Sequence, residues 1–261
     1  MKLNYVKHGN GAKTILFGHG FPFDHTMWDA QVEALATDFT VIAPDFRGMG
    51  KSPASGKSIT DMSDMADDLA ELLTDLNVEK CVYCGLSMGG YVGLEFWNRH
   101  AERLEGLIFC DTNAKADTPE GATKRLETAD KIEVKGSCAF MTNGMKENLM
   151  TAETLRDAEN PDGVYAVYAK MVCDNNPVGV AAAARGMARR KDFTEKVGKI
   201  SVPVLILTGE KDLLSPPDAM RQLAERIPDV EFVVIPNAAH LAPMENADAV
   251  NATIKQFMNK E

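Results

Sequence analysis

A chain of 261 residues, 45% hydrophobic and 25% charged, is sized for one globular core with an inserted subdomain rather than for two independent domains. Its formal charge of −10 argues against nucleic acid as the main partner. No apolar run has the length of a signal peptide or a bilayer span, so a cytoplasmic protein with no membrane partner is expected.

The chain opens on strand-like Asn4 to Val6 and Thr14 to Phe17, joined by turn-prone His8-Gly9-Asn10-Gly11, which predicts a hairpin. Asp29 to Thr37 carries apolar residues at helical spacing, and Phe39 to Ala43 reads as a strand. After glycine-rich Pro44 to Ser52, Thr60 to Leu76 is amphipathic, with Met62, Met65, Leu69, Leu72, Leu73 and Leu76 near one face. A strand-like run from Cys81 then enters Gly85-Leu86-Ser87-Met88-Gly89, and a helical pattern continues from Tyr91 to His100. Leu104 to Cys110 supplies another strand and ends at Asp111.

This rhythm stops near Asn113 and resumes at Val202. Between them, helical patterns such as Glu120 to Lys131 and Val178 to Ala188 are broken by glycine, asparagine and proline turns. We expect residues 114–201 to form a helical cap and residues 1–113 with 202–261 the core. Val204 to Thr208 is a strand ending in Gly209-Glu210-Lys211-Asp212; Pro217 to Ile227 is a helix and Glu231 to Ile235 a strand. The loop to His240 and a helix from Ala247 to Met258 complete the chain. Alternating strands and helices predict an α/β fold with a mostly parallel twisted sheet, helices on both faces and a site at the carboxyl ends of the strands.

Ser87 is the candidate nucleophile, because a serine between strand and helix in Gly-x-Ser-x-Gly is held in strained backbone with its hydroxyl projecting. The five cysteines are odd in number and scattered, unlike a disulfide framework. Cys81 and Cys84 have redox or zinc spacing, yet they lie within one strand with no second ligand pair and are read as buried packing residues.

The chain resembles the α/β-hydrolase superfamily over essentially its whole length, on four motifs in the family's order. These are Gly18-His19-Gly20-Phe21, Gly85-Leu86-Ser87-Met88-Gly89, Gly209-Glu210-Lys211-Asp212 and Ala239-His240. Met27-Trp28, Asp45 to Ser52 and Gly186 to Arg190 further resemble the 3-oxoadipate enol-lactonase-like and carboxylesterase branch. The resemblance implies a triad of Ser87, His240 and Asp212, with the backbone N–H groups of Phe21 and Met88 as the oxyanion hole. Asp111 is the alternative acid, since it too follows a strand at that edge. Asp45 follows a strand as well, but is read as a partner for Arg47. Among the histidines, His240 is preferred as base because it sits in the loop after the last strand; His100 reads as a helix-end residue and His19 as structural.

Acyl transfer by such a triad requires no metal or organic cofactor. The expected partner is a small ester or lactone. Homo-oligomerisation is left open. His25, Trp28, Phe140 and Met187 are candidate substrate-binding residues, with Phe23 a further wall residue. Arg185, Arg189 and Arg190 could present a cation to a substrate carboxylate or form a solvated face. Methionines in the cap (Met141, Met145, Met150, Met171, Met187) would suit an adaptable pocket. Other chemistry on the same residues, or ligand sensing with little turnover, are the alternative readings.

Overall fold

The computed structural model describes residues 1–260. In chain order, β1 (Tyr5–His8), β2 (Thr14–Gly18), α1 (Asp29–Leu35), β3 (Thr40–Pro44), α2 (Met62–Asp75), β4 (Cys81–Leu86), α3 (Met88–His100) and β5 (Leu104–Cys110) form the first part. Five helices follow: α4 (Pro119–Lys135), α5 (Phe140–Leu149), α6 (Ala152–Arg156), α7 (Val164–Asp174) and α8 (Pro177–Ala188). The chain returns with β6 (Val204–Gly209), α9 (Pro217–Ala224), β7 (Val230–Ile235), α10 (Ala242–Glu245) and α11 (Ala247–Met258).

The strands form one sheet in the order β1-β3-β2-β4-β5-β6-β7. Every neighbouring pair except β1–β3 is parallel. Helices cover both faces of a parallel sheet, so its central strands bury every residue and read as continuous apolar runs. The expected β1–β2 hairpin does not form, because β3 lies between the two strands. β3 is buried throughout and takes partners on both sides, whereas β1 is largely exposed and suits the edge.

Local signals place the helices. Asp61 and Asp64 make a reciprocal capping box at the start of α2. Thr118 caps α4, Pro119 occupies its first turn and Gly136 ends it with φ of +57°. Asn176 caps α8. That helix lies against the backbone of the core: a Cβ at Gly179 would fall 1.8 Å from the Gly48 carbonyl oxygen, and one at Gly186 1.7 Å from that of Thr60. Asn175, just before it, donates to the carbonyls of Pro22 and Phe23 and accepts from Gly50 N–H. No helix among the described residues is long and apolar enough to cross a membrane.

The fold brings the ends of β4, β5 and β6 together at one edge, placing Ser87, Asp111 and Asp212 near one another although the sequence separates them by up to 125 positions.

Candidate active site

Ser87 sits between β4 and α3 with φ of +52° and ψ of −111°, in left-handed backbone that a non-glycine residue enters at a cost. Its surroundings determine that conformation. The Ser87 N–H donates to the Cys110 carbonyl at 3.0 Å, and its own carbonyl accepts from the Thr112 hydroxyl at 2.8 Å and Gly90 N–H at 2.9 Å. The flanking glycines are needed for space, since a Cβ on Gly85 would lie 2.4 Å from the Gly89 oxygen and one on Gly89 2.2 Å from that of Gly18. Met88 opens α3, so its N–H belongs to the first turn, which has no partner within the helix.

Asp212 follows β6. Its Oδ1 accepts Leu214 N–H at 2.7 Å and Ser215 N–H at 3.1 Å, and its Oδ2 meets Nδ1 of His240 at 2.9 Å. Both side chains are buried. Burial opposes ionisation of Asp212, but the His240 hydrogen bond and charge, with the two backbone donors, outweigh it and lower the pKa. Nδ1 of His240 therefore carries the hydrogen facing Asp212, and Nε2 is left able to accept one. The loop bearing His240 is itself held: Ala239 N–H donates to Glu245 Oε2 at 2.7 Å, while Oε1 of the same carboxylate accepts from Thr151 N–H and the Thr154 hydroxyl. Leu241 N–H donates to Leu149 at the end of α5.

Ser87, His240 and Phe21 line one cavity of about 240 Å³. Tyr91 and Asn113 contribute from the core side, while Arg125, Met145, Leu149, Met187 and Arg190 contribute from the inserted segment. Asp117 bridges the two arginines there. Arg125 Nε donates to one carboxylate oxygen and Arg190 Nη1 lies 2.6 Å from the other. The Arg190 guanidinium also stacks 4.1 Å from the centre of the Tyr91 ring. Two cations against one anion leave the wall net positive. An adjoining cavity of about 360 Å³ shares Asn113, Asp117, Arg190, Leu214 and Ser215 with the first and is also bordered by Lys115 and Arg226.

With this geometry in view, residues 13–247 match the family model described as alpha/beta hydrolase fold. The chain belongs to that family. A thermophilic esterase from Thermogutta terrifontis, solved with malate bound, is 41% identical with a TM-score of 0.94, covering 98% of this chain and 92% of that one. The enol-lactonase from Burkholderia xenovorans is 28% identical with a TM-score of 0.90, covering 99% and 96%. 3-Oxoadipate enol-lactonase 1 from Acinetobacter baylyi is 28% identical over 242 residues, 91% of this chain and 85% of that protein.

In this α/β-hydrolase, Met187 does line the cavity, but His25, Trp28 and Phe140 are not among its lining residues. Trp28 is fully buried and stacked on Phe17, with centroids 4.6 Å apart. Phe140 carries the Lys131 ammonium over its ring at 4.4 Å. Phe23 is buried against Tyr168. Of the three arginines, Arg185 pairs with Asp130 and Glu133 and Arg189 with Asp61; Arg190 faces the cavity. Met145 and Met187 line it, whereas Met141, Met150 and Met171 are packed in the core. Arg125, Asp117, Tyr91 and Asn113 escaped the sequence reading, because no motif marks them: Tyr91 comes from α3, Asn113 from the loop after β5, and Asp117 and Arg125 from the start of the inserted segment.

One further expectation changes. Arg47 pairs with Asp68, not Asp45. Asp45 instead accepts four donors: His25 N–H and Nδ1 at Oδ1, and the Asn4 amide and Lys51 N–H at Oδ2, all between 2.6 and 2.8 Å. Burial resists its ionisation, but those bonds win and lower its pKa; the bond to Asp45 raises that of His25. Asp45→Ala should cost about 3 kcal/mol in urea unfolding, since it removes the acceptor of four hydrogen bonds, including the one from His25 Nδ1. The depressed Asp45 contributes stability above the unfolded carboxyl pKa, about 4, and loses it as pH falls. The raised His25 contributes fully below its unfolded pKa, about 6.5, and loses it as pH rises. The deficit of the variant should therefore be greatest between those values, and a deficit that is flat across pH would contradict the assignment.

His19, buried and with its pKa lowered by burial, donates from Nδ1 to Gly20 O and accepts Phe46 N–H at Nε2. Both ring nitrogens are thus used in bracing the loop before Phe21. Cys81 is buried and free, its thiol pushed up to about 12 by burial, the behaviour of a packing residue.

Proposed function

We propose that the protein is a serine hydrolase of small carboxylic esters or lactones, with Ser87 as nucleophile, His240 as general base and Asp212 as the acid that orients it. One observation carries this reading: an imidazole held through Nδ1 by a buried carboxylate shares a cavity with a serine in a left-handed strand-to-helix turn. Nε2 of His240 takes the Ser87 hydrogen as Oγ attacks the carbonyl carbon. The backbone N–H groups of Phe21 and Met88 receive the negative charge that develops on oxygen. His240 then returns the hydrogen to the departing alcohol, or to the ring-opened oxygen of a lactone, and water releases the acid by the same steps. The helices of residues 114–201 serve as the cap over this site.

The net positive wall formed by Arg125, Arg190 and Asp117 favours substrates whose acyl or alcohol part carries an anionic group. Arg190→Gln should lower kcat/KM for a p-nitrophenyl half-ester of a dicarboxylic acid by about 10–100-fold, the scale of one hydrogen bond to a charge. For p-nitrophenyl butyrate the change should be small. Equal losses on both substrates would remove the anion preference and leave the hydrolase reading standing.

The hydrolase reading itself is tested by a panel of p-nitrophenyl esters and lactones run beside Ser87→Ala, with fluorophosphonate labelling. Label on Ser87 alone and turnover far above the variant are expected. Wild-type rates equal to those of Ser87→Ala on every substrate would leave a ligand-binding protein.

A further inference from the structure

The reaction outlined above gives no work to Asp111, yet its setting is unusual. It follows β5 in left-handed backbone, with φ of +47°, and its side chain is fully buried. Oδ1 accepts Gly209 N–H at 2.7 Å, and no donor reaches the buried Oδ2. A carboxylate oxygen shut away from water with nothing to accept is strongly disfavoured; the same oxygen carrying a hydrogen is a donor in search of an acceptor. The acceptor is close by. Carboxyl oxygens of Asp111 and Asp212 and a ring nitrogen of His240 all lie within 4.8 Å of one another.

Two buried carboxyls at that separation do not both ionise. Asp212 takes the charge because three donors converge on it, two backbone N–H groups and His240, whereas Asp111 has one. Burial first, and then the Asp212 charge, push the Asp111 carboxyl well above the usual range, with only Gly209 N–H opposing. The remaining titratable neighbour, Cys110, is raised by the adjacent Cys84 thiol and by burial, so it adds no charge.

We propose that Asp111 is a positioning residue whose Oδ2 bears a hydrogen and donates it to the Asp212 carboxylate, a role that rests on the assignment of Asp212 as the orienting acid. The hydrogen stays on Asp111 throughout turnover. It gives Asp212 a fourth donor, keeps the carboxylate aimed at His240, and leaves one negative charge rather than two beside the imidazole.

Infrared difference spectroscopy tests the hydrogen without reference to turnover. At neutral pH the wild-type protein should show the carbonyl stretch of a protonated carboxylic acid, retained in Ser87→Ala and lost in Asp111→Asn. Absence of that band from the wild type overturns the proposal, and the band decides the matter even if no ester or lactone is hydrolysed.

Kinetics test the positioning. Asp111→Asn suits left-handed backbone and keeps an amide donor, so kcat should stay within about fivefold and the acid limb of the kcat/KM profile should hardly move. Asp111→Gly relaxes the backbone but removes the donor, and should lower kcat about 10-fold or more with KM little changed. A shift of the acid limb to lower pH by about one unit in Asp111→Asn would mean that the wild-type side chain is ionised, since deleting a nearby negative charge makes the imidazole less basic. Equal kcat in the Asn and Gly variants would mean that the donor positions nothing. If the Gly variant does not fold, the infrared band and the Asn profile remain decisive.

Discussion

Ser87→Ala is expected to lower kcat by about 10⁶-fold, to within the residual rate that binding and oxyanion stabilisation alone supply. The magnitude follows from the covalent route. In the proposed mechanism no acyl-enzyme forms without Oγ, and His240 is left with only water to activate in the cavity it shares with residue 87. KM should change little. Folding should be retained, because serine and alanine meet the same steric cost at φ of +52°. Ser87→Gly, equally inactive, should be more stable by about 1 kcal/mol, because glycine alone escapes that cost. p-Nitrophenol release and thermal unfolding of the two variants measure both halves. A Ser87→Ala protein retaining a tenth of wild-type turnover would eliminate the nucleophile assignment.

Asp212→Asn should lower kcat by about 10⁴-fold with little effect on the fold, and the reason lies in which oxygen is already occupied. Oδ1 of Asp212 accepts two backbone N–H groups, from Leu214 and Ser215. An asparagine must keep its carbonyl there, which turns its NH₂ toward Nδ1 of His240. Two donors cannot face one another, so the imidazole moves its hydrogen from Nδ1 to Nε2 and loses the lone pair that takes the serine hydrogen. Asp111→Asn should have a far smaller effect, because no bond joins Asp111 to the imidazole, and a ranking in which it is the more damaging change would transfer the acid role to Asp111. Stopped-flow measurement of acylation in both variants, across pH, separates this tautomer effect from a loss of substrate binding.

The α/β architecture was legible because parallel strands buried on both faces leave continuous apolar runs, as in Thr14 to Phe17 and Val204 to Thr208, and because the elbow glycines are demanded by backbone contact. Strand order was less legible. Gly9 and Gly11 suggested a hairpin, but pairing is settled by which strand must be covered on both edges, and that is β3. At the site, residues fixed by a motif and a sheet edge could be proposed from the chain alone. Trp28 could not be placed, because an aromatic near a glycine-rich loop looks the same whether it lines a cavity or packs against Phe17. Arg185, Arg189 and Arg190 were equivalent as sequence; α8 ends at Ala188, and the turn beyond it sends only Arg190 into the cavity. Asp45 illustrates the same difficulty: proximity in sequence suggested Arg47, whereas burial next to His25, Asn4 and Lys51 gave it four donors.

Glu245 fastens two things with one side chain. One oxygen grips Thr151 in the connection between α5 and α6 and Thr154 in the first turn of α6, and the other grips the peptide immediately before His240. The α5–α6 corner of the inserted segment and the perch of the imidazole therefore share a rivet. Displacing that corner would pull on the peptide before the ring as well, whereas Arg190 and Asp117, which border both cavities, have no bond to Glu245 and could shift without disturbing the histidine.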